Sequence, residues 1–592
     1  MGEGVSYAWQ SDALLAVGGP DRGAVRFHIA PDRAGERRLV FERRFYVAAG
    51  EPGALAGPVA GGVPGAVSGE VRAEGSGRPV EGAFIEFRDA SGIAAVARSG
   101  RDGTFRALLP QGLYSATAFF PGGEDGSTRR IEAGTEDARA IELEVSEPAA
   151  VRFRIEGEKG SPIPGRLTFR SGSGARVSGR PPAPEFAYAP DGLGMIRLAP
   201  GEATIVASAG IEHSIDERLL SLDPGSSEEV VFRIRREVDA EGLLPVDLRV
   251  QTVGGLEGPS TAAEQIEASL AEGLRSIVFA DNGRVFEASE TEGSEDLPVI
   301  AGEEVWLAEV GRFGVFPLAE ADEIPPRGGH GGEGKGPSAL FTIVRGRPGS
   351  PLLQVHAPRH PGDGYFERMR LDPVTGLSGN IEFDGAFDLL EVASAFEIDR
   401  APAVLGDWLH LLSLGRRVFA TGNSGSSDRE VAPPGLPRNY VEMPFGGTHP
   451  SDLVEALRAG RFFLTTGPII RFRAAGGRST GDLVQDSDGL LDVDLRIEAA
   501  SWIEVDRARI FANGAVLFDR SLDRRSGGRV ADFRESLAIN GDCWLVAVVS
   551  GSKPLDPVYR APEGGPIFPV AVSSPIWVDF DGDGAFDPPG VR

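Results

Sequence analysis

The residues best suited to chemistry lie in short blocks strung along 243–470. In order they are Asp247-Leu-Arg249-Val-Gln251, Asp281-Asn282-Gly283, Glu303-Glu304, Gly311-Arg312-Phe313, His356-Ala357-Pro358-Arg359 and Gly422-Asn423-Ser424-Gly425-Ser426-Ser427. Carboxylates and imidazoles converging within about 2.0–2.3 Å of an ion hold Zn²⁺ or Mn²⁺, and such an ion activates water for hydrolysis. Asp281 and Glu304 have the right chemistry, with His356 as a third candidate. Arg249 and Arg312 cannot ligate a cation, and Gln251 and Asn282 are weak neutral donors. A second acidic group stands near the end of the sequence. Asp579-Phe-Asp581-Gly-Asp583-Gly584-Ala-Phe-Asp587 matches a calcium loop in its acids and its central glycine. Gly590 falls where the bidentate glutamate belongs. A structural Ca²⁺ site and a plain acidic turn are equal readings of this loop.

Other candidates have blander readings. Ser424, Ser426 and Ser427 lack a base partner for nucleophilic catalysis. His330 lies in Gly328-Gly-His-Gly-Gly, a solvated insertion. His360 reads as a surface imidazole near the mouth of a pocket, His410 as a helix-face residue, and His449 before Pro450 as part of a helix start. Cys543, the single cysteine, excludes an intrachain disulfide and a cysteine-based zinc site. It reads as a small buried thiol on the strand 543–549.

The blocks need elements that present them together. Val246–Gln251 reads as a strand. Thr261-Ala-Ala-Glu264 is a capping box, followed by a helix with Ile266 and Leu270 on one face and Gly273 as its stop. Arg275–Ala280 is the next strand, giving a βαβ unit. Strands at 352–355 and 387–392, a helix over 403–414, a strand at 417–421, a helix over 452–459 closed by Gly460, and a strand at 462–465 continue the alternation. This predicts a (β/α) barrel over 243–470, with the chemical blocks at the C-terminal ends of strands, where such barrels carry their sites.

The remainder reads as β-structure. The 81 glycines and 44 prolines are spread through the sequence and imply many turns. Residues 1–60 read as a partial β-domain and linker. The segment 66–146 carries Val67-Ser-Gly-Glu-Val, Asp102-Gly-Thr-Phe and Pro110-Gln-Gly-Leu-Tyr, an order that resembles the carboxypeptidase regulatory-like β-sandwich. A looser copy at 148–240 places Asp191-Gly before Leu198-Ala-Pro-Gly. Strand periodicity returns over 471–592 as a C-terminal β-sandwich. The predicted class is therefore a multidomain β plus α/β protein.

A formal net charge of −27 repels phosphate backbones, and no local basic patch is legible, so nucleic-acid binding is excluded. No apolar run is long enough to cross a bilayer as a helix. The opening residues lack an export signal and read like the end of an earlier β-domain.

The ordered blocks over 243–470 resemble the polymerase-and-histidinol-phosphatase (PHP) superfamily, most closely its carbaryl-hydrolase-like (CehA/McbA-type) branch. Gly364-Tyr-Phe, Asp407-Trp-Leu, Ala456-Leu-Arg-Ala-Gly-Arg and Thr465-Thr-Gly-Pro agree with that branch in order. The resemblance implies a barrel with two or three divalent metals that hydrolyses esters or phosphoesters. Its motifs read Asp-Leu-His-x-His, Thr-Asp-His-Asn, Gly-x-Glu, Gly-His-Phe, Asn-His-Pro-Arg and Gly-Asn-Ser-Asp-Ser-His. The matching positions here are Arg249 and Gln251, Asn282, Arg312, Ala357, and Gly425 with Ser427, while Asp247, Asp281 and Glu304 are kept. His356 sits one position before the motif histidine. A vestigial site follows, with no metal expected in the barrel and with Arg249 and Arg312 paired to Asp281 and Glu304. Three functions are open on these residues. One is an inactive module that binds a small ligand or a protein, or serves as a scaffold. Another is an active Zn²⁺ or Mn²⁺ hydrolase with a remodelled site. The third is a purely structural cell-envelope protein. The β-modules resemble those of periplasmic and envelope proteins.

Overall fold

The computed structural model describes residues 5–11, 14–18, 44–49, 64–171, 185–255, 257–286, 297–307, 310–318, 336–444, 449–522, 528–562 and 564–589. Most of the expected linker, His330 and Gly590 lie outside them. Strand outweighs helix, 48% to 13%, as the turn-rich composition predicts. At the N-terminus, Val5–Ser11 pairs with both Leu14–Gly18 and Arg44–Ala49.

The two β-domains share one topology. Each has a three-stranded and a four-stranded sheet. Numbering the strands of each in order, both domains place the first strand between the fourth and the last, and run the other sheet as 3-2-5-6. Strand Thr104–Pro110 alternates exposed and buried residues, the period-2 pattern of a half-buried strand. The turns repeat as well. Asp102 accepts from the Thr104 amide and Asp191 from the Leu193 amide, and Gly103 and Gly192 take φ of 76° and 78°, conformations glycine reaches without strain.

The α/β region is built from nine strands: β1 (Leu243–Val250), β2 (Ser276–Asn282), β3 (Val299–Leu307), β4 (Gly311–Phe316), β5 (Leu352–His356), β6 (Leu389–Ser394), β7 (Phe419–Asn423), β8 (Arg438–Glu442) and β9 (Phe462–Thr465). They hydrogen-bond in the order β7-β6-β5-β4-β3-β2-β1-β8-β9. The expected repeated β/α barrel is corrected to a curled mixed sheet. Strand β4 runs antiparallel to β3 and β5, because the three residues between Leu307 and Gly311 are too few for a crossover. Curling brings the free edge of β7 to β1 and β8. Val250 bridges Ser426. The Asn439 side chain on β8 accepts from the Gly422 amide at 2.9 Å and donates to its carbonyl at 2.7 Å. A side chain thus stands in for a strand partner where the ladder stops. Val246, Leu248, Val278, Ile300, Phe316, Leu352, Leu389, Phe419 and Val441 fill the interior.

Helix α1 (Ala262–Ala271) has the predicted capping box between Thr261 and Glu264. The later helices run Ala401–Ser413 and Pro450–Arg458, the second with His449 as its N-cap, as its place before Pro450 suggests. Beyond 470 the structure departs from a separate sandwich. Val570–Ser573 pairs antiparallel with β9, so the C-terminal strands extend the barrel sheet. The opposing sheet contains Ile469–Ala474, Leu490–Ala499 and Gly528–Ala538. Trp544 and Trp577 lie in one core with Trp408 and Leu411 of the barrel helix. Cys543 is buried, and burial pushes its thiol up to about 12, the inert form expected of it.

Candidate functional site

Strand ends bring most of the predicted blocks together above the apolar interior. Arg249 ends β1, Glu304 lies on β3, and Arg312 on β4 is in register with His356 on β5. Asn282 stands opposite Glu304. Glu304 and His356 are fully buried and Arg249 is nearly so.

Arg249 is the centre of the cluster. Its Nη2 lies 2.8 Å from Glu304 Oε2 and its Nη1 donates to Glu391 Oε2 at 3.0 Å. One guanidinium therefore bridges carboxylates from β3 and β6, as a divalent ion would. His356 Nδ1 donates to Glu304 Oε2 at 2.7 Å. Gln251 Nε2 reaches Glu304 Oε1 at 3.4 Å. Arg312 lies 3.5 Å from the same oxygen, with Asp363 at 3.2 Å and Glu257 at 3.7 Å, and its guanidinium covers the Trp306 ring. Burial pushes the Glu304 carboxyl up, but Arg249, then His356 and Arg312, overcome this and hold it down at about 2. Burial would likewise depress Arg249, and Glu304 and Glu391 reverse it, keeping the guanidinium charged.

The expected pairing is half right. Glu304 takes both arginines, whereas Asp281 takes neither. Asp281 accepts from the Thr252 amide at 2.6 Å and its hydroxyl at 2.7 Å, with Arg284 at 3.4 Å. Its oxygens are taken by Thr252 and Arg284 instead. Burial, opposed by Thr252 and Arg284, raises its pKa. Asp247 is also buried outside the cluster. It accepts from the Arg249, Ser424 and Gly435 amides and the Ser424 hydroxyl, joining β1 to the segment after β7. Burial outweighs these bonds and pushes it up to about 6.

The remaining positions fall around the rim. Asn282 Nδ2 donates to Glu257 at 2.8 Å. Ala357 has φ of 42°, and its amide donates to Glu391 at 2.9 Å. Gly425 has φ of 62°, and a Cβ there would sit 3.7 Å from Arg249 Nη1. Ser427 is tied instead to 258–260, where its carbonyl accepts from Ser260. His360 pairs with Asp363 at the mouth.

Glu391 escaped the sequence reading. It accepts from Arg249, Ala357 and Asn423 and is buried. Its signal was present: a lone carboxylate within the otherwise apolar run Leu389-Leu-Glu-Val-Ala of a buried strand. Acids are almost never fully buried unless paired.

A metal does not fit this arrangement. A positive guanidinium lies between the acids, and His356 is the only imidazole among them. Among the described residues, the acid and imidazole groups close enough to share an ion are Asp542, Asp579 and Asp581, and then Asp581, Asp583 and Asp587, all near the C-terminus. That loop brings Asp542 to the predicted acids. Its own amides already wind it: Asp579 accepts from Gly582 and Gly584, and Asp542 from Phe580 and Asp587. Calcium there stays an expectation, which a calcium titration tests.

Residues 66–156 match the model of the carboxypeptidase regulatory-like domain family. No curated protein matches the chain. Among solved structures, a two-domain protein from Bacteroides vulgatus described as containing a predicted PHP-like metal-dependent phosphoesterase is 12% identical, with a TM-score of 0.30, over 58% of this chain and 98% of its own. The shaft pilin SpaA of Lactobacillus rhamnosus GG is 10% identical, with a TM-score of 0.19, over 30% of this chain and 99% of its own. The TIE protein of Bacillus anthracis is 12% identical, with a TM-score of 0.14; the match spans 42% of each chain. Among the described residues, no helix is long and apolar enough to cross a membrane.

Proposed function

We propose that the α/β region is a degenerate PHP-type metallohydrolase domain of the CehA/McbA kind, catalytically inactive, which binds a small ligand or a protein partner, or serves as a scaffold, between β-domains of an envelope protein. The observation that carries this reading is Arg249 bridging Glu304 and Glu391. A tethered cation holds the place between two acids where the family's chemistry needs a metal, and it presents no open coordination position for water. The ordered blocks around it support descent from a hydrolase. The flanking β-domains act as spacers.

The test is metal analysis of the purified protein, with and without added Zn²⁺ or Mn²⁺, beside assays on generic ester and phosphoester substrates. Substoichiometric metal and no turnover are expected. One equivalent or more of bound metal, with a hydrolysis abolished by Glu304→Ala, would overturn the reading in favour of a remodelled hydrolase using Asp281, Glu304 and His356.

A further inference from the structure

At the opposite ends of the barrel strands lies a cavity of about 220 Å³, between the starts of β7 and β9 and the C-terminal strand Ile576–Asp579. Arg417, Arg458 and Arg461 line it, together with Asp388 and Asp482. Asp388 is already neutralised: Arg345 holds both its oxygens at 2.9 Å, and the Leu353 amide donates to it. Asp482 accepts from the Ser479 amide and lies 3.9 Å from Arg461. Arg458 is fixed by the Ser350 carbonyl at 2.6 Å and lies 3.6 Å from the exposed Glu455, which is not among the residues lining the cavity. Arg417 pairs with no carboxylate among the described residues; its guanidinium lies over Trp577, 5.5 Å from the ring centroid. Trp577 is itself buried, so it works as a platform that fixes the cation rather than as an open stacking surface. The cavity therefore holds more positive than negative charge in a chain of net charge −27.

We propose that this cavity is a binding site for a small multivalent oxyanion of the phosphate or dicarboxylate class, separate from the Arg249 cluster. Guanidinium forks match such oxyanions with two parallel hydrogen bonds. A concave wall raises the field that three of them produce. The cavity volume suits a small metabolite or an inorganic anion rather than a polymer.

Isothermal titration of the full chain at low ionic strength, with inorganic phosphate and separately with succinate, tests this. Saturable binding of at least one is expected, and the stronger arm identifies the anion class. The Arg417→Gln/Arg461→Gln variant should weaken it about tenfold or more, because two charge-assisted contacts are lost. Both side chains are exposed, so an unchanged urea midpoint checks the fold. Arg129→Gln/Arg130→Gln removes two charges from the first β-domain and should leave binding unchanged. No saturable heat with either anion, equal binding by the Arg417/Arg461 variant, or an equal loss in the Arg129/Arg130 control would overturn the proposal. None of these results bears on metal at Glu304, so this site and the barrel reading fail separately.

Discussion

Arg166 and Arg249 are each buried against carboxylates, and their surroundings differ. Arg166, from the second β-domain, meets Glu272 at the end of α1 and the Val558 carbonyl of the C-terminal region. Its Nη1 donates to Thr168, and Phe186 and Tyr559 cover its faces. The Tyr559 hydroxyl donates to Glu272 in turn. Every nitrogen of that guanidinium has a protein partner, and three regions of the chain close around it. Arg249 is bonded at both terminal nitrogens, but its Nε has no partner among the described residues, nor does Nε2 of neighbouring His356. Buried polar groups in a purpose-built core are almost all satisfied. The Arg166 knot has the completeness of a structural joint. The Arg249 cluster is less completely bonded.

The largest effect should come from Arg166→Ala. It strands Glu272 in a sealed junction and should cost about 3–5 kcal/mol. Urea unfolding followed by fluorescence and circular dichroism should then separate into two transitions as the β-domain loses its tie to the barrel. Arg249→Ala should cost less, about 3 kcal/mol, because water can enter from the rim and either acid can take up a proton. An equal or greater loss at Arg249 would erase the distinction between the closed joint and the less completely bonded cluster.

The acid limb comes next. Glu304 is held near 2 in the folded protein against an ordinary 4.5. Its contribution is full above pH 4.5 and is lost as the pH falls towards 2, on the order of 3 kcal/mol. Comparing wild type with Glu304→Gln over that range isolates it; parallel curves would show that Arg249 does not hold the charge. Asp247 acts with the opposite sign. Its folded pKa is about 6 against 3.8, so its contribution is present below 3.8 and lost as the pH rises through 6. From these two groups alone, stability peaks at about pH 4. The smallest effect belongs to Gln251→Ala. Its long bond to Glu304 should be worth less than about 1 kcal/mol, read as a small shift of the urea midpoint. A loss as large as that of Arg249→Ala would make Gln251 a second support of Glu304.

Much of the fold was legible because its signals are local. The capping box at Thr261, the turn at Asp102-Gly103 and the alternation in Thr104–Pro110 each depend on a few adjacent residues. The reversal of β4 was also readable in principle, from a linker too short for a crossover. The continuation of the barrel sheet into Val570–Ser573 was not, since no local pattern says which distant edge a strand will join.

The site divides in the same way. The residue types by themselves determined that Arg249 and Arg312, which cannot ligate a cation, stand among the chemical blocks together with Asp247, Asp281 and Glu304. Those facts limit the chemistry whatever the fold. Only the tertiary structure decided that Arg249 rather than Arg312 is central, that its second partner is Glu391, 142 residues away in sequence, and that Asp281 is held by Thr252. It also gathered Arg417, Arg458 and Arg461 into one cavity, although the sequence has no basic run there. The physical reason is common to all of these. A side chain's identity sets what it can bond, but a buried charge is paired by whichever strands the sheet order places beside it.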